Sequence, residues 1–131
     1  MSTTITVRDE TVTGQTISEY PLDLLNERVT VRELIQSRVY QEVQDYNRVQ
    51  GGTFRGLVQP TDAEQTLNGY RVARPREIDW KAQFDKACEA FERNGFFVLV
   101  DDRQPDALDE ELVLTEKSTV AFVKLVPLVG G

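Results

Sequence analysis

Thr30-Val31-Arg32-Glu33-Leu34-Ile35 opens the stretch around which the rest of this chain is organised. Thr30 and Glu33 stand at the Ser/Thr-x-x-Glu spacing of a capping box, where each side chain satisfies the other residue's free backbone amide. Val31, Leu34, Ile35, Val39, Val43, Tyr46 and Val49 then recur at steps of one, three and four. That spacing predicts one long helix with an apolar stripe, and the stripe needs a sheet to bury against. Gly51-Gly52 is expected to stop it.

Upstream, Ile5, Val7 and Val12 alternate with polar residues through Thr4–Val12, the pattern of a half-buried strand. Thr13-Gly14-Gln15 supplies a turn and Thr16–Tyr20 the returning strand of a hairpin. Pro21 is expected to close that strand, because it cannot donate to a ladder. Downstream, Thr53 to Pro75 is punctuated by Gly56, Pro60 and Asn68-Gly69, and reads as loop with one or two short strands, such as Tyr70–Ala73. Trp80, Phe84, Ala87, Cys88 and Phe91 then predict a second amphipathic helix, ended by Asn94-Gly95. Phe96–Val100 is a wholly apolar strand, Asp101–Glu111 an acidic loop, and Leu112–Leu114 a short strand. Thr115–Thr119 turns into a last strand, Val120–Val126. Strands that flank a capped helix without alternating with helices throughout predict an α+β class in one domain spanning residues 1–131.

The 131 residues include 40% hydrophobic and 28% charged side chains, as expected of a globular domain. A net charge of −7 argues against a nucleic-acid partner, which calls for a basic stripe. Arg71, Arg74 and Arg76 form a local cluster, read as a solvated loop. Cys88 is the single cysteine, so no internal disulfide forms and a reducing cytoplasm is expected. Its place on the apolar side of the second helix makes it a buried small hydrophobe in this reading. There is no histidine, and with it go the commonest general base and zinc ligand. No metal site, bound cofactor or enzymatic activity is therefore expected of this chain. No apolar run approaches the roughly 20 residues that span a membrane, and Met1-Ser2-Thr3-Thr4 lacks the start of a secretory leader.

Several local stretches together resemble ubiquitin and its relatives. Val12-Thr13-Gly14-Gln15-Thr16-Ile17 resembles ubiquitin's opening hairpin turn, and Thr30-Val31-Arg32-Glu33-Leu34 resembles the start of its helix. Ser118-Thr119-Val120-Ala121-Phe122-Val123 and Gly130-Gly131 resemble its last strand and diglycine tail. The likeness covers roughly residues 4–50 and 96–131. It implies a β-grasp fold, a mixed sheet around one long helix, with a helix-containing insertion at about 51–95 before the third main strand. The tail, 126–131, departs from ubiquitin. Pro127-Leu128-Val129 precedes the diglycine without an arginine, closer to the molybdopterin-synthase small subunit and the thiamine sulfur carriers. Only Lys81, Lys86, Lys117 and Lys124 are present, two of them in the insertion.

What the resemblance implies for function centres on Gly130 and Gly131. Glycine lacks a Cβ, so two in sequence make a thin, pliant thread that passes a narrow channel. The expected chemistry is adenylation of the Gly131 carboxylate by a partner activating enzyme using ATP and magnesium. A cysteine of that partner captures the acyl group as a thioester, and the modifier passes to a target protein. A conjugating enzyme and a deconjugating peptidase are the further partners implied, and for bacterial members a link to defence against phage. Pro127, Leu128 and Val129 would be read at the channel mouth by the activating enzyme. Val12, Leu99, Ala121 and Val123 would share the sheet's outward face as a partner-binding surface, unless the Trp80–Phe91 helix covers it. Two alternatives stand beside this reading: a sulfur carrier bearing a terminal thiocarboxylate for a sulfur acceptor, and a non-conjugated interaction module.

Overall fold

A computed structural model describes residues 3–49, 53–60, 63–66, 69–72 and 77–125. Among these, β1 (Thr3–Thr11) and β2 (Thr16–Leu24) form the expected hairpin. Its turn is closed by Gly14 N donating to Thr11 O at 3.0 Å, with Gly14 at φ 89°, where a side chain would be strained. Pro21 does not end β2, contrary to expectation: the strand continues through it to Leu24. β2 is the sheet's edge, and Pro21 O faces outward to accept Gln41 Nε2 at 2.8 Å. The nitrogen of the same residue points the same way, so its missing donor costs the ladder nothing.

A short strand β3 (Arg28–Thr30), invisible to periodicity, leads into α1 (Val31–Val49). The capping box forms as read: Thr30 N donates to Glu33 Oε1 at 2.9 Å, and Glu33 N to Thr30 Oγ1 at 3.1 Å. Two more amides of the first turn reach the acidic loop, Val31 N to Glu110 O at 3.0 Å and Arg32 N to Leu108 O at 2.9 Å. The helix start is thus tied down by residues far along the chain.

The next stretch is more ordered than its sequence suggests. β4 (Thr53–Phe54), β5 (Ala63–Thr66) and β6 (Gly69–Val72) make a small antiparallel sheet in the order β4-β6-β5. Strands of two to four residues are too short to display an alternation. α2 (Trp80–Glu92) follows, with the Asp79 side chain accepting Lys81 N at 3.0 Å. Gly95 N caps its end on Ala90 O at 2.7 Å, behind Asn94 at φ 61°. β7 (Phe96–Val100), β8 (Glu111–Val113) and β9 (Thr119–Lys124) complete the elements. β9 ends at Lys124, and Val126, expected in it, lies outside the described residues.

The main sheet has the order β2-β1-β9-β7, with β9 parallel to β1 and the other pairs antiparallel. β3 and β8 pair separately. The described residues are therefore α+β, with a mixed four-stranded sheet and two helices. On β9, Val120 and Phe122 face α1 and lie in the core with Ile5, Val7, Leu34, Ile35 and Val98. α2 lies beside α1: Trp80 meets the Tyr40 ring edge-on at 5.4 Å, and Phe91 meets Phe96 at 5.9 Å. It sits on the core side, so neither helix among the described residues covers the sheet's opposite face. Phe54, Leu57, Ile78, Ala87 and Phe91 join the same buried cluster. No helix among the described residues is long and apolar enough to cross a membrane.

Candidate functional site

The uncovered face carries a shallow groove of about 240 Å³. Val12, Phe97, Leu99 and Val123 supply its apolar lining, joined by Glu10 and Gln104. Strand register explains the grouping. Phe97 pairs with Val123 and Leu99 with Ala121, while Glu10 and Arg8 flank the same two β9 residues from β1. Val12 reaches in from the hairpin turn, 61% exposed. Three of the four surface residues expected from the sequence are thus brought together. Ala121 faces the same side but is buried between Leu99 and Arg8 and does not line the groove. Phe97 was missed, although it stands two residues from Leu99 and so shares its side of the strand. The five tail residues expected to matter, Pro127, Leu128, Val129, Gly130 and Gly131, lie outside the described residues. Arg74 and Arg76 lie there too, while Arg71 is exposed on β6.

A second constellation lies on the opposite, core-facing side. Arg38 of α1, with a side chain 2% exposed, donates Nη1 and Nη2 to the two oxygens of Asp9 at 2.5 and 3.0 Å. Its Nε donates to Glu42 Oε2 at 2.9 Å. The guanidinium lies 4.8 Å from the Phe122 ring centroid and 5.3 Å from that of Tyr20, whose hydroxyl donates to Asp9 Oδ1 at 3.3 Å. Lys124 closes the group from β9, its Nζ donating to Gly56 O at 3.0 Å.

Two cations face two carboxylates in a place nearly closed to water. Burial pushes the Glu42 carboxyl up to about 7, against the pull of Arg38. Burial also drives the Tyr20 hydroxyl far above its usual range. Burial works against the Arg38 charge, yet Tyr20, Glu42 and Asp9 outweigh it and hold the guanidinium protonated. Burial, and then the Arg38 charge, lower Lys124. The sequence carries a signal for this cluster. Asp9 occupies the inward side shared by Ile5 and Val7, and Arg38 and Glu42 stand one helical turn apart beside the apolar stripe.

Chemically the two sites differ. The Arg38 cluster is sealed and cannot meet a substrate, whereas the groove is open and offers apolar surface for docking. Cys88 is partly buried against the core, and burial raises its thiol, the opposite of what activates a nucleophile. Among the described residues, no group of three or more acidic, cysteine or histidine side chains is placed to hold a metal ion. No family model, curated protein or solved structure matches this chain.

Proposed function

We propose that this chain is a ubiquitin-like modifier of the β-grasp class, activated at Gly131 by a partner enzyme. The observation that carries the reading is the sheet order β2-β1-β9-β7, with β9 parallel to β1 and α1 packed across one face. In such an arrangement β9 is one of the two inner strands, and the chain leaves it at Leu125, itself 44% exposed. The apolar groove opens on the other face of that same strand, through Val123. A partner gripping the groove would hold the segment after Leu125 within reach of its own active site. In extended form six residues, 126–131, span about 20 Å at most.

The chemistry belongs to the partner and to the terminus together. The Gly131 carboxylate attacks the α-phosphorus of ATP and pyrophosphate leaves. A cysteine thiolate of the activating enzyme then displaces AMP to form a thioester. An amine of the target attacks that thioester, and an amide forms as the thiolate leaves. Magnesium and ATP are used by the activating enzyme. This chain supplies the acyl group, the docking surface and, through Pro127, a fixed φ that lowers the entropy lost on threading.

The test is the intact mass of the protein recovered from its own cells with its partners. A chain ending at Gly131 and joined to an acceptor through an amide supports the proposal. A mass gain equal to one oxygen-to-sulfur exchange supports the sulfur carrier instead, and a free terminus under every growth condition supports the interaction module. Deleting Gly130-Gly131 should leave the melting temperature unchanged and abolish thioester formation with the cognate activating enzyme.

A further inference from the structure

The apolar groove on β7 and β9 has a charged border, and strand register supplies it. Ile5, Val7 and Asp9 of β1 are buried on the core side, so Thr4, Arg8 and Glu10 stand on the groove's side of the sheet. Across the ladder, Glu19 of β2 lies opposite Arg8, and Asp23 lies opposite Thr4, accepting its hydroxyl at 2.7 Å. Glu19 and Asp23 are both exposed. At the start of β9, Asp101 accepts the Thr119 amide at 2.9 Å and the Thr119 hydroxyl at 3.1 Å. Among the described residues of these strands, that side thus carries Glu10, Glu19 and Asp23, with Asp101 at its margin. Arg8 is the cation set against them, and it already lies 3.5 Å from Glu10. An apolar strip on β7 and β9 is therefore bordered by a net negative strip on β1 and β2.

The outer edge of β7 is closed to a further strand. Val100 N donates to Arg103 O at 2.8 Å and Arg103 N to Val100 O at 2.9 Å, so backbone groups of that parity point away from β9. Phe96 and Val98 share the parity and are 2% and 0% exposed, which leaves no room for ladder bonds to an added peptide. Only side chains can enter the groove, from an element whose own backbone bonds are already made. A helix meets that condition. We infer that the groove receives an amphipathic helix of the partner, its apolar ridge on Val12, Phe97, Leu99 and Val123 and its lysines or arginines over Glu10, Glu19 and Asp23. This deepens the proposed function and rests on its reading of the groove as the partner's grip. Charge selects against other occupants. A second copy of the chain would set the same anions against one another, and a phosphate-bearing surface would meet them too. The net charge of −7 acts in the same direction at longer range.

The probe is a displayed library of helices about 18 residues long, with leucine fixed along one face and every flanking position free. It is selected on the full chain in about 0.15 M salt, with no activating enzyme and no ATP. Lysine and arginine should be enriched over aspartate and glutamate at the flanking positions. The selected peptide, titrated into the labelled protein, should move the amide resonances of Val12, Phe97, Leu99 and Val123. Glu19→Lys together with Asp23→Lys should weaken its binding at least about tenfold, and the difference should shrink in about 1 M salt. Selection of no helix, enrichment of neutral or acidic flanks, resonance shifts confined to other surfaces, or indifference to the charge reversal would each overturn the proposal. No terminal chemistry enters these measurements. A negative result therefore strikes the helix and leaves acylation at Gly131 to the mass measurement, while a free terminus there leaves a selected basic helix standing.

Discussion

Replacing Arg38 with methionine should destabilise the protein by at least about 3 kcal/mol at neutral pH. The side chain is 2% exposed and makes three charge-assisted bonds, two to Asp9 and one to Glu42. Methionine retains most of the apolar stem, so the loss falls on the charges. Removing one partner of a buried ion pair costs about 3–5 kcal/mol, because the other partner stays buried and uncompensated. The stacking over Phe122 and Tyr20 contributes up to about 2 kcal/mol more. Some of this returns at acid pH. Glu42 already holds its proton more tightly in the fold than its ordinary value, and losing the Arg38 charge raises it further. A carboxyl raised in the folded state stabilises below its unfolded value of about 4.5 and loses that stability as pH rises through its folded value. Urea denaturation at about pH 5 and about pH 8 should therefore show a deficit at both, wider at the higher. A deficit under about 1 kcal/mol at pH 8, or one that does not widen, refutes the reasoning. The companion variant Asp9→Leu, Arg38→Met, Glu42→Leu, Lys124→Met should recover most of the loss, since apolar replacement of a whole buried cluster is often neutral or better.

Phe54→Ala should cost about 3–5 kcal/mol in chemical denaturation, since the ring is fully buried and meets Tyr46 edge-on at 5.5 Å. A cost below about 1 kcal/mol would mean that residues 53–60 merely rest on the core. Gly56→Ala should destabilise by about 1–3 kcal/mol, because its Cβ would overlap the Phe54 ring; an unchanged urea midpoint contradicts that packing. Thr30→Ala removes the cap at α1 and should lower stability by about 1 kcal/mol, read from the same midpoint. Under the proposed function, Leu99→Asp should weaken binding to an activating enzyme at least tenfold while leaving the far-ultraviolet spectrum intact. Undiminished capture would remove the groove from the functional surface.

The parts of the fold visible in the sequence are those set by local physics. The Thr30–Glu33 capping box, the Gly14 turn and the stripe of α1 depend on neighbours within a few residues, and each forms where its spacing places it. β3, β4 and β5 were hidden because their existence depends on partners elsewhere. β3 is held by β8, some 80 residues later, and Ala63-Glu64-Gln65-Thr66 has no apolar alternation to announce a strand. Pro21 misled for a related reason: its effect on a ladder depends on which way its nitrogen faces, and that is decided by β2's place at the sheet edge. The groove was partly legible, since alternation along β7 and β9 sorts residues by face. The Arg38 cluster was overlooked because charged residues on an apolar stripe read as a solvated margin until partners from three other elements are seen to converge.

The region from Thr53 to Gly95 is not detachable from this fold, and burial shows why. Phe54 meets Tyr46 of α1 edge-on, Trp80 meets Tyr40 edge-on, and Phe91 is tilted against Phe96 of β7. Asn47 Nδ2 donates to Ile78 O at 3.1 Å and Ile78 N to Asn47 Oδ1 at 2.8 Å, a reciprocal pair that fixes the approach to α2. Excising the region would bare the flank of α1 that carries Tyr46 and would uncover Glu42. The burial of Phe54, Leu57, Ile78 and Phe91 would go with it, each contributing about 1.5–3 kcal/mol. That sum is comparable to the whole stability of a domain this size. A compact relative lacking such a region would need a smaller residue or a polar one at Tyr46, whereas a charge at Glu42, once solvated, would be tolerated. In this chain α1 is covered on that side, while neither helix among the described residues covers the other face of the sheet.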